Sequence, residues 1–408
     1  MGLRVAFVLP RYGKSLGGGA ETLSRELFLR LIDSGIVSEG EIWTTCALDH
    51  RTWENHFPTG ESLEDGIVVR RFPVDERDVE PFLRAEHKMA AGDKLTLPEQ
   101  LKWIENSVNS KGLYSHIATK GPEFDLIFFA PYLFATTFWG ALIYPEKSVL
   151  IPCLHDEAYA YNEIFSILFR KVAGFFFNAF AELELAEKIF PGLHSAERGG
   201  VVGMGLPLDP PANVPTDFFE KFGLREKHYF LYSGRKELGK NVDLLLSYYE
   251  ELPADKLPLI LIGSGSVDFR GTLPEGVRDL GFVSEEEKRF LMRGALALIQ
   301  PSVNESFSIV LLEALVQETP VVVHGQCAVT ASHASEGSCG LQFVNDLEFK
   351  SVIEFLTKNP HLAQTLGMQG RAYVEREYTW EAVLGRAKLI LEKIRADGQE
   401  YSNESQRA

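Results

Sequence analysis

Short runs rich in β-branched and aromatic residues recur along this chain, and each is followed by apolar residues at helical spacing. The runs are LRVAFVLP (3–10), EIWTTCA (41–47), IVVRRFPV (67–74), FDLIFFAPY (124–132), SVLIPCLHD (148–156) and GFFFNAF (174–180). Near-continuous apolar strands alternating with helices imply a parallel sheet covered on both faces. A proline-rich stretch, MGLPLDPPANVPTD (204–217), then reads as a linker, after which the rhythm restarts. HYFLYSGR (228–235), LPLILIGSG (257–265), VRDLGFVS (277–284), LALIQPS (296–302), PVVVHG (320–325) and CGLQFV (339–344) follow. The expectation is two α/β domains. With 408 residues the chain is about twice what one hydrophobic core holds. Ligands of such sheets bind beyond the carboxyl ends of the strands. For two facing domains, the natural site is the cleft between them.

Charge and cysteine usage narrow the function. A net charge of -16 argues against nucleic acid, and against attachment to anionic lipid by charge alone. Peripheral membrane contact stays open. Cys46, Cys153, Cys327 and Cys339 form no C-x-x-C pair, which reads as reduced thiols used for packing in a cytoplasmic protein. The opening residues read as a first strand, too short in apolar length for a signal peptide. IFSILFRKVAGFFFNAFAEL (164–183) is interrupted by Arg170 and Lys171, so it reads as a buried helix then a buried strand rather than a membrane span. Residues 75–121 break the rhythm and read as a helical insertion, either shaping an acceptor site or elaborating the surface. The tail after Asp397 is polar and reads as disordered.

Three places carry candidate chemistry. In YSGRKELGKN, Arg235 and Lys240 stand between a strand end and the next helix, as a diphosphate site requires, although solvated surface cations would look the same. In LGGGAE (16–21), Gly18 and Gly19 allow close backbone approach at a helix N-terminus; a plain tight turn is the alternative. The third place is PSVNESFSIVLLEALVQETPVVV (301–323). There Glu305 lies in the turn, Ser306, Phe307 and Ser308 are expected in the first helical turn, and Glu313 lies further along. Eight helical residues rise about 12 Å with about 80° of rotation, the scale of a sugar–diphosphate–ribose ligand. A carboxylate amid apolar residues needs a partner, and ligand hydroxyls supply one. No D-x-D at a strand end and no His/Cys/carboxylate cluster with ligand spacing is present, so neither a metal nor another cofactor is expected.

Glu305 and Glu313, eight positions apart after G-R-x(4)-K and before a P-V-V strand, resemble the retaining nucleotide-sugar glycosyltransferases of the GT-B fold. More narrowly they resemble the glycosyltransferase group 1 set, family four. The Gly18–Glu21 turn, His155 after LIPCLHD, and TWEAVLGRAKLILEKI (379–394) extend the resemblance over nearly the whole chain. It implies an acceptor-side Rossmann-like domain over 1–205, completed by C-terminal helices at about 379–396, and a nucleotide-sugar domain over 206–378. It also implies metal-free transfer of a sugar from an NDP-sugar to a carbohydrate or lipid-linked acceptor hydroxyl, as in polysaccharide biosynthesis. Arg235, Lys240 and the helix amides would stabilise the departing diphosphate, Glu305 would hold the sugar, Glu313 the ribose, and His155 the sugar's primary hydroxyl or the reacting centre. Asp156, Glu157 and Tyr159 are acceptor-side candidates, with helix capping as the alternative for Asp156. Family members usually carry glycine where Ser308 and Glu318 stand, so a side chain is expected to face the donor at 308 and the helix to end differently at 318. The segment 323–340 lacks the usual glycine-rich and acidic pattern, which bears on the donor sugar. A 2-epimerase of the same fold, acting on donor alone, and an inactive nucleotide-sugar-binding protein are the other readings.

Overall fold

A computed structural model describes residues 2–13, 18–210, 213–267 and 271–405, with only the backbone described at Leu238 and from residue 397 onward. Leu16 and Gly17 of the glycine-rich turn, and Pro211 and Ala212 of the linker, lie outside the described residues. The chain divides into two compact units, Met1–Met204 with Val383–Ala408, and Gly205–Ala382.

The first unit is built on an eight-stranded sheet. Its strands are β1 (Leu3–Leu9), β2 (Val37–Thr45), β3 (Gly60–Glu64), β4 (Ile67–Phe72), β5 (Leu126–Phe129), β6 (Ser148–Leu150), β7 (Gly174–Phe177) and β8 (Gly199–Val201). The order is β3-β4-β2-β1-β5-β6-β7-β8. Among its pairs only β3–β4 is antiparallel. β1 is paired along both edges, and Val5–Leu9 are buried on both faces; Phe7 faces Ile42 and Phe128 in register and stacks on Phe128 at 4.5 Å. Each fully buried phenylalanine contributes about 2–3 kcal/mol of transfer free energy.

The region 75–121 forms helices Val79–Ala90, Leu97–Glu105 and Lys111–Lys120. Ala85, Met89, Trp103, Ile104, Leu113 and Ile117 from these helices are part of the first unit's hydrophobic core. Residues 163–177 are a helix, Glu163–Lys171, then the buried strand β7. Among the described residues, no helix is long and apolar enough to cross a membrane.

The second unit carries a six-stranded parallel sheet of β9 (Phe230–Ser233), β10 (Leu259–Ile262), β11 (Val277–Asp279), β12 (Ala297–Gln300), β13 (Val321–His324) and β14 (Gly340–Phe343). The order β11-β10-β9-β12-β13-β14 is the doubly wound Rossmann order. Connections from β9 run to one side and those from β12 to the other, so a crevice opens beyond the carboxyl ends of β9 and β12.

Two features depart from the sequence reading. The C-terminal segment is one helix, Trp380–Ser405, rather than several. Its backbone stays helical past Asp397, where disorder was expected; no proline interrupts that stretch. Val383, Ala387, Leu391 and Ile394 of this helix are buried, and Ile390 and Ile394 press on Gly200 and Gly174 of the first unit's sheet.

Candidate functional site

The switch crevice of the second unit gathers several of the expected residues. Beyond β9, Gly234 has φ +153, and Gly263 beyond β10 has φ +120. A side chain at Gly263 would collide with the Gly234 carbonyl, so the two loops meet backbone to backbone. Lys236, which the sequence reading passed over between Arg235 and Lys240, dives beneath them. Its ammonium is fully buried and donates to the Gly263 carbonyl at 2.7 Å and Asp279 Oδ1 at 2.8 Å. It ties the ends of β9, β10 and β11 together. Arg235 stays half-exposed, with Glu237 at 3.7 Å.

Lys240 ends a 3₁₀ turn, Leu238–Lys240, and its ammonium donates to Glu305 Oε1 at 2.6 Å. The side chain of Glu305 is only 11% exposed. The pair spans the crevice, one residue arriving from β9 and the other from β12. An ammonium has three donors, so this bond leaves Lys240 two for a ligand. Asn241, in the left-handed conformation, donates from Nδ2 to the Pro301 carbonyl at 3.3 Å and joins the same two loops.

The helix after β12 begins three residues later than expected. It spans Ile309–Val316, and Ser306–Ser308 precede it rather than forming its first turn. Ser308 is the N-cap residue at φ +64, a left-handed conformation that stops the helix from extending backward. Its side chain is buried, and its hydroxyl lies 3.4 Å from Gln300 Nε2 at the end of β12. Glu318 also has positive φ, +56, and accepts from Arg293 at 2.6 Å. Both positions therefore keep a glycine-like backbone without glycine. Phe307 is buried, with its ring edge-on to His333 and Tyr378, so only its backbone is available to a ligand.

Glu313 does not share the Lys240–Glu305 pair. Lys288, from the helix Glu285–Gly294, donates to it at 3.0 Å and also contacts Glu285 at 2.6 Å. Burial pushes the Glu313 carboxyl up, and the Lys288 charge opposes that rise.

In the first unit, Gly18 is the N-cap of the helix Gly19–Asp33, and a side chain there would collide with the Glu21 carboxylate. Glu21 is held by Arg11. Gly19 is open to its surroundings. Beyond β6, His155 lies with Nδ1 3.8 Å from Glu157 Oε1. Glu157 accepts from the Tyr132 hydroxyl at 3.2 Å. Burial raises the Glu157 carboxyl to about 7; the Glu86 charge adds to the rise and the Tyr132 hydrogen bond opposes it.

Asp156 caps no helix, contrary to the capping alternative. Glu157 precedes the 3₁₀ turn Ala158–Tyr161, and Asn162 precedes the helix Glu163–Lys171. Asp156 instead accepts from the Tyr161 hydroxyl at 2.6 Å and from Lys188 at 3.2 Å, which hold its carboxyl below the usual range. Tyr159 donates to Glu86 at 2.6 Å and stacks on Trp103 at 5.6 Å, and Trp103 donates to the same carboxylate at 2.7 Å. The insertion thus reaches the His155 segment through Glu86 and Trp103.

Glu182 was likewise missed by sequence reading. It is buried, accepts from Leu154 N–H at 2.6 Å and Asn178 N–H at 2.5 Å, and is raised to about 8 by burial. It holds the loop in which Cys153 has φ +52, two residues before His155. The sequence signal was a carboxylate inside the apolar run FFFNAFAELEL.

Residues 215–373 match the family model described as glycosyl transferases group 1. The O-antigen chain mannosyltransferase B of Escherichia coli is 33% identical over 147 residues, which is 33% of this chain and 37% of that protein. The match thus spans little more than a third of that relative's length. The HepE protein of Anabaena, crystallised with UDP and glucose, superposes with a TM-score of 0.64 at 16% identity, over 97% of this chain and all of that one. Sucrose-phosphate synthase from Thermosynechococcus elongatus superposes at 0.66 with 15% identity over the full length of both. The chain has the GT-B fold with two Rossmann-like units, and within the second unit residues 215–373 are similar to the glycosyl transferases group 1 family.

Proposed function

We propose that this protein is a retaining glycosyltransferase that moves a sugar from a nucleoside-diphosphate sugar to an acceptor hydroxyl in glycan biosynthesis. The observation that carries the reading is the Lys240–Glu305 pair, 2.6 Å apart across the β9–β12 switch crevice. The family match over 215–373 supports it. So do the mannosyltransferase relative and the UDP and glucose bound to the structurally similar HepE.

In this reading the bond from the anomeric carbon to the β-phosphate oxygen breaks. The acceptor oxygen bonds to the same face of that carbon, and its proton passes to the departing phosphate. Arg235 and the two remaining donors of Lys240 stabilise the charge that builds on the diphosphate, a preorganised electrostatic effect. Glu305, oriented by Lys240, accepts from ring hydroxyls of the sugar. Gly18, Gly19 and the backbone at Ser306–Ser308 line the donor, Glu313 reads the ribose, and His155 serves the transferring sugar. Asp156, Glu157 and Tyr159 belong to the acceptor side, in the unit formed by residues 1–204 and 383–408.

The test is a thermal-shift screen against UDP-, GDP- and ADP-sugars, followed by product analysis with and without EDTA. One nucleotide sugar should raise the melting temperature, transfer should survive chelation, and the anomeric proton of the product should keep the donor's configuration. Conversion of the donor without any acceptor would point to the epimerase instead. Activity lost to EDTA and restored by manganese or magnesium would overturn the metal-free mechanism.

A further inference from the structure

The loop from Pro301 to Ser308 carries Glu305, and its far end is held by a residue to which neither the sequence reading nor the proposed mechanism gives a role. His333 lies on the helix Ala328–Glu336 and is buried. Both its ring nitrogens are engaged: Nε2 is 3.1 Å from the Phe307 carbonyl and Nδ1 is 2.9 Å from the Tyr373 hydroxyl. A carbonyl can only accept, so Nε2 carries the proton and Nδ1 accepts from Tyr373. The rings of Phe307, Tyr373 and Tyr378 surround the imidazole at 5.6–6.0 Å between centroids. Burial also pushes His333 down to about 4, which keeps the ring neutral at ordinary pH. Cys339 Sγ donates to the His333 carbonyl at 3.2 Å, fixing the end of its helix.

We propose that His333 is a positioning residue for Glu305: by gripping the Phe307 carbonyl, it sets the turn that presents the Glu305 carboxylate to Lys240 and to the donor sugar. The inference rests on the donor-site reading. Among the described residues the loop has four side-chain tethers, the His333 grip included. Asn241 holds Pro301, Lys240 holds Glu305, and Gln300 lies against Ser308. The grip on Phe307, two residues beyond the carboxylate, is the tether made to a backbone carbonyl from a buried ring, and it fixes both the ring and the peptide of that residue. Removing it leaves the Phe307 carbonyl buried without its donor and lets the turn relax.

The test compares His333→Leu, His333→Gln and Tyr373→Phe with the wild type. Binding of UDP, GDP, UDP-glucose and GDP-mannose is measured by calorimetry, and apo melting temperature is recorded alongside. A diphosphate alone does not contact the sugar-reading carboxylate, so the affinity of the UDP or GDP that binds should change by less than about threefold in His333→Leu. Affinity for the matching nucleotide sugar should fall by at least about tenfold, and His333→Gln, which can still donate to the Phe307 carbonyl, should recover most of it. Tyr373→Phe removes one hydroxyl and no bulk, and releases the tautomer. It should give the same split at about threefold even if His333→Leu fails to fold. Folded variants that bind both ligand types as the wild type does, or that lose both equally, would overturn the positioning role and leave the donor reading intact. A wild type that binds none of the four probes, and no ADP-sugar either, would overturn the donor reading and the inference with it.

Discussion

Glu305 and Glu313 have different partners and should fail differently when each is changed to glutamine. Glu305 is paired with Lys240 across the switch crevice and faces the transferring sugar in the proposed mechanism. Glu305→Gln should lower kcat by at least about tenfold, because the sugar gains positive character only as the diphosphate leaves. Glu313→Gln removes a partner of Lys288, which keeps Glu285, and should mainly raise the donor KM. Steady-state kinetics beside apo melting temperatures decide the matter. Two unstable variants with unchanged kinetics per folded molecule would show both carboxylates to be structural. Glu157 gives a second residue-scale expectation. Its carboxyl is raised to about 7 in the folded state, so the folded protein holds a proton that the unfolded chain releases as pH climbs past its ordinary range near 4.5. Its stability contribution is therefore full below that range and lost as pH rises through about 7. The loss is at most about 3 kcal/mol. The melting-temperature advantage of the wild type over Glu157→Gln should shrink steadily from acidic to neutral pH. A constant difference would mean that Glu157 is already ionised throughout. The sequence resemblance suggested separate roles for the two glutamates, but their pairing was not legible in one dimension. The sequence placed Glu305 and Lys240 65 positions apart, and only the β9–β12 adjacency brings them together.

At the scale of elements, strands were legible wherever they are buried on both faces, because burial demands continuous apolar runs. β3 and β8 were not. GESLE has a single large apolar residue, Leu63, which is exposed, and it pairs only at the sheet edge. Its signal was the Asp65-Gly66 pair, at φ +52 and +80, the backbone of a two-residue hairpin turn. The helix start after β12 was misplaced for a related reason. SFSIVLLEAL reads as one helical run, yet Ser308 at φ +64 breaks it. That conformation makes a specific expectation. Ser308→Gly should stabilise the protein by about 0.5–1 kcal/mol, since glycine relieves the left-handed strain and only a long contact to Gln300 is lost. Glu318→Gly should be close to neutral, because the same relief is offset by loss of the 2.6 Å pair with Arg293. Chemical denaturation of both variants tests the contrast, and a destabilised Ser308→Gly would mean that its buried hydroxyl outweighs the backbone strain.

For the molecule as a whole, the last helix joins the unit from which it is farthest in sequence, as the resemblance implied. Val383–Ala408 belong to the unit built from the first 204 residues, where Arg386 donates to the Val202 carbonyl at 3.0 Å and Lys393 to the Ala196 carbonyl at 2.6 Å. A chain ended at Ala382 uncovers the apolar surface around Gly174 and Gly200. Calorimetry should show the first unit melting several degrees lower, by roughly the 2–5 kcal/mol that burial of a few large side chains provides. An unchanged melting profile would mean that this helix contributes no packing. The sequence by itself determined the class of fold, since runs of apolar strands alternating with helices admit few solutions other than covered parallel sheets. It also marked the chemical types at the site, because a carboxylate in an apolar setting, or a cation at a strand end, is costly without a partner. What it could not determine was pairing. Lys236 rather than a neighbouring cation is buried, Ser308 turns inward, Asp156 binds Lys188 instead of capping a helix, and His333 grips the Phe307 carbonyl. Each depends on which strand lies beside which and on the few degrees of backbone rotation at a loop. Those are decided only when the whole sheet is closed against its helices.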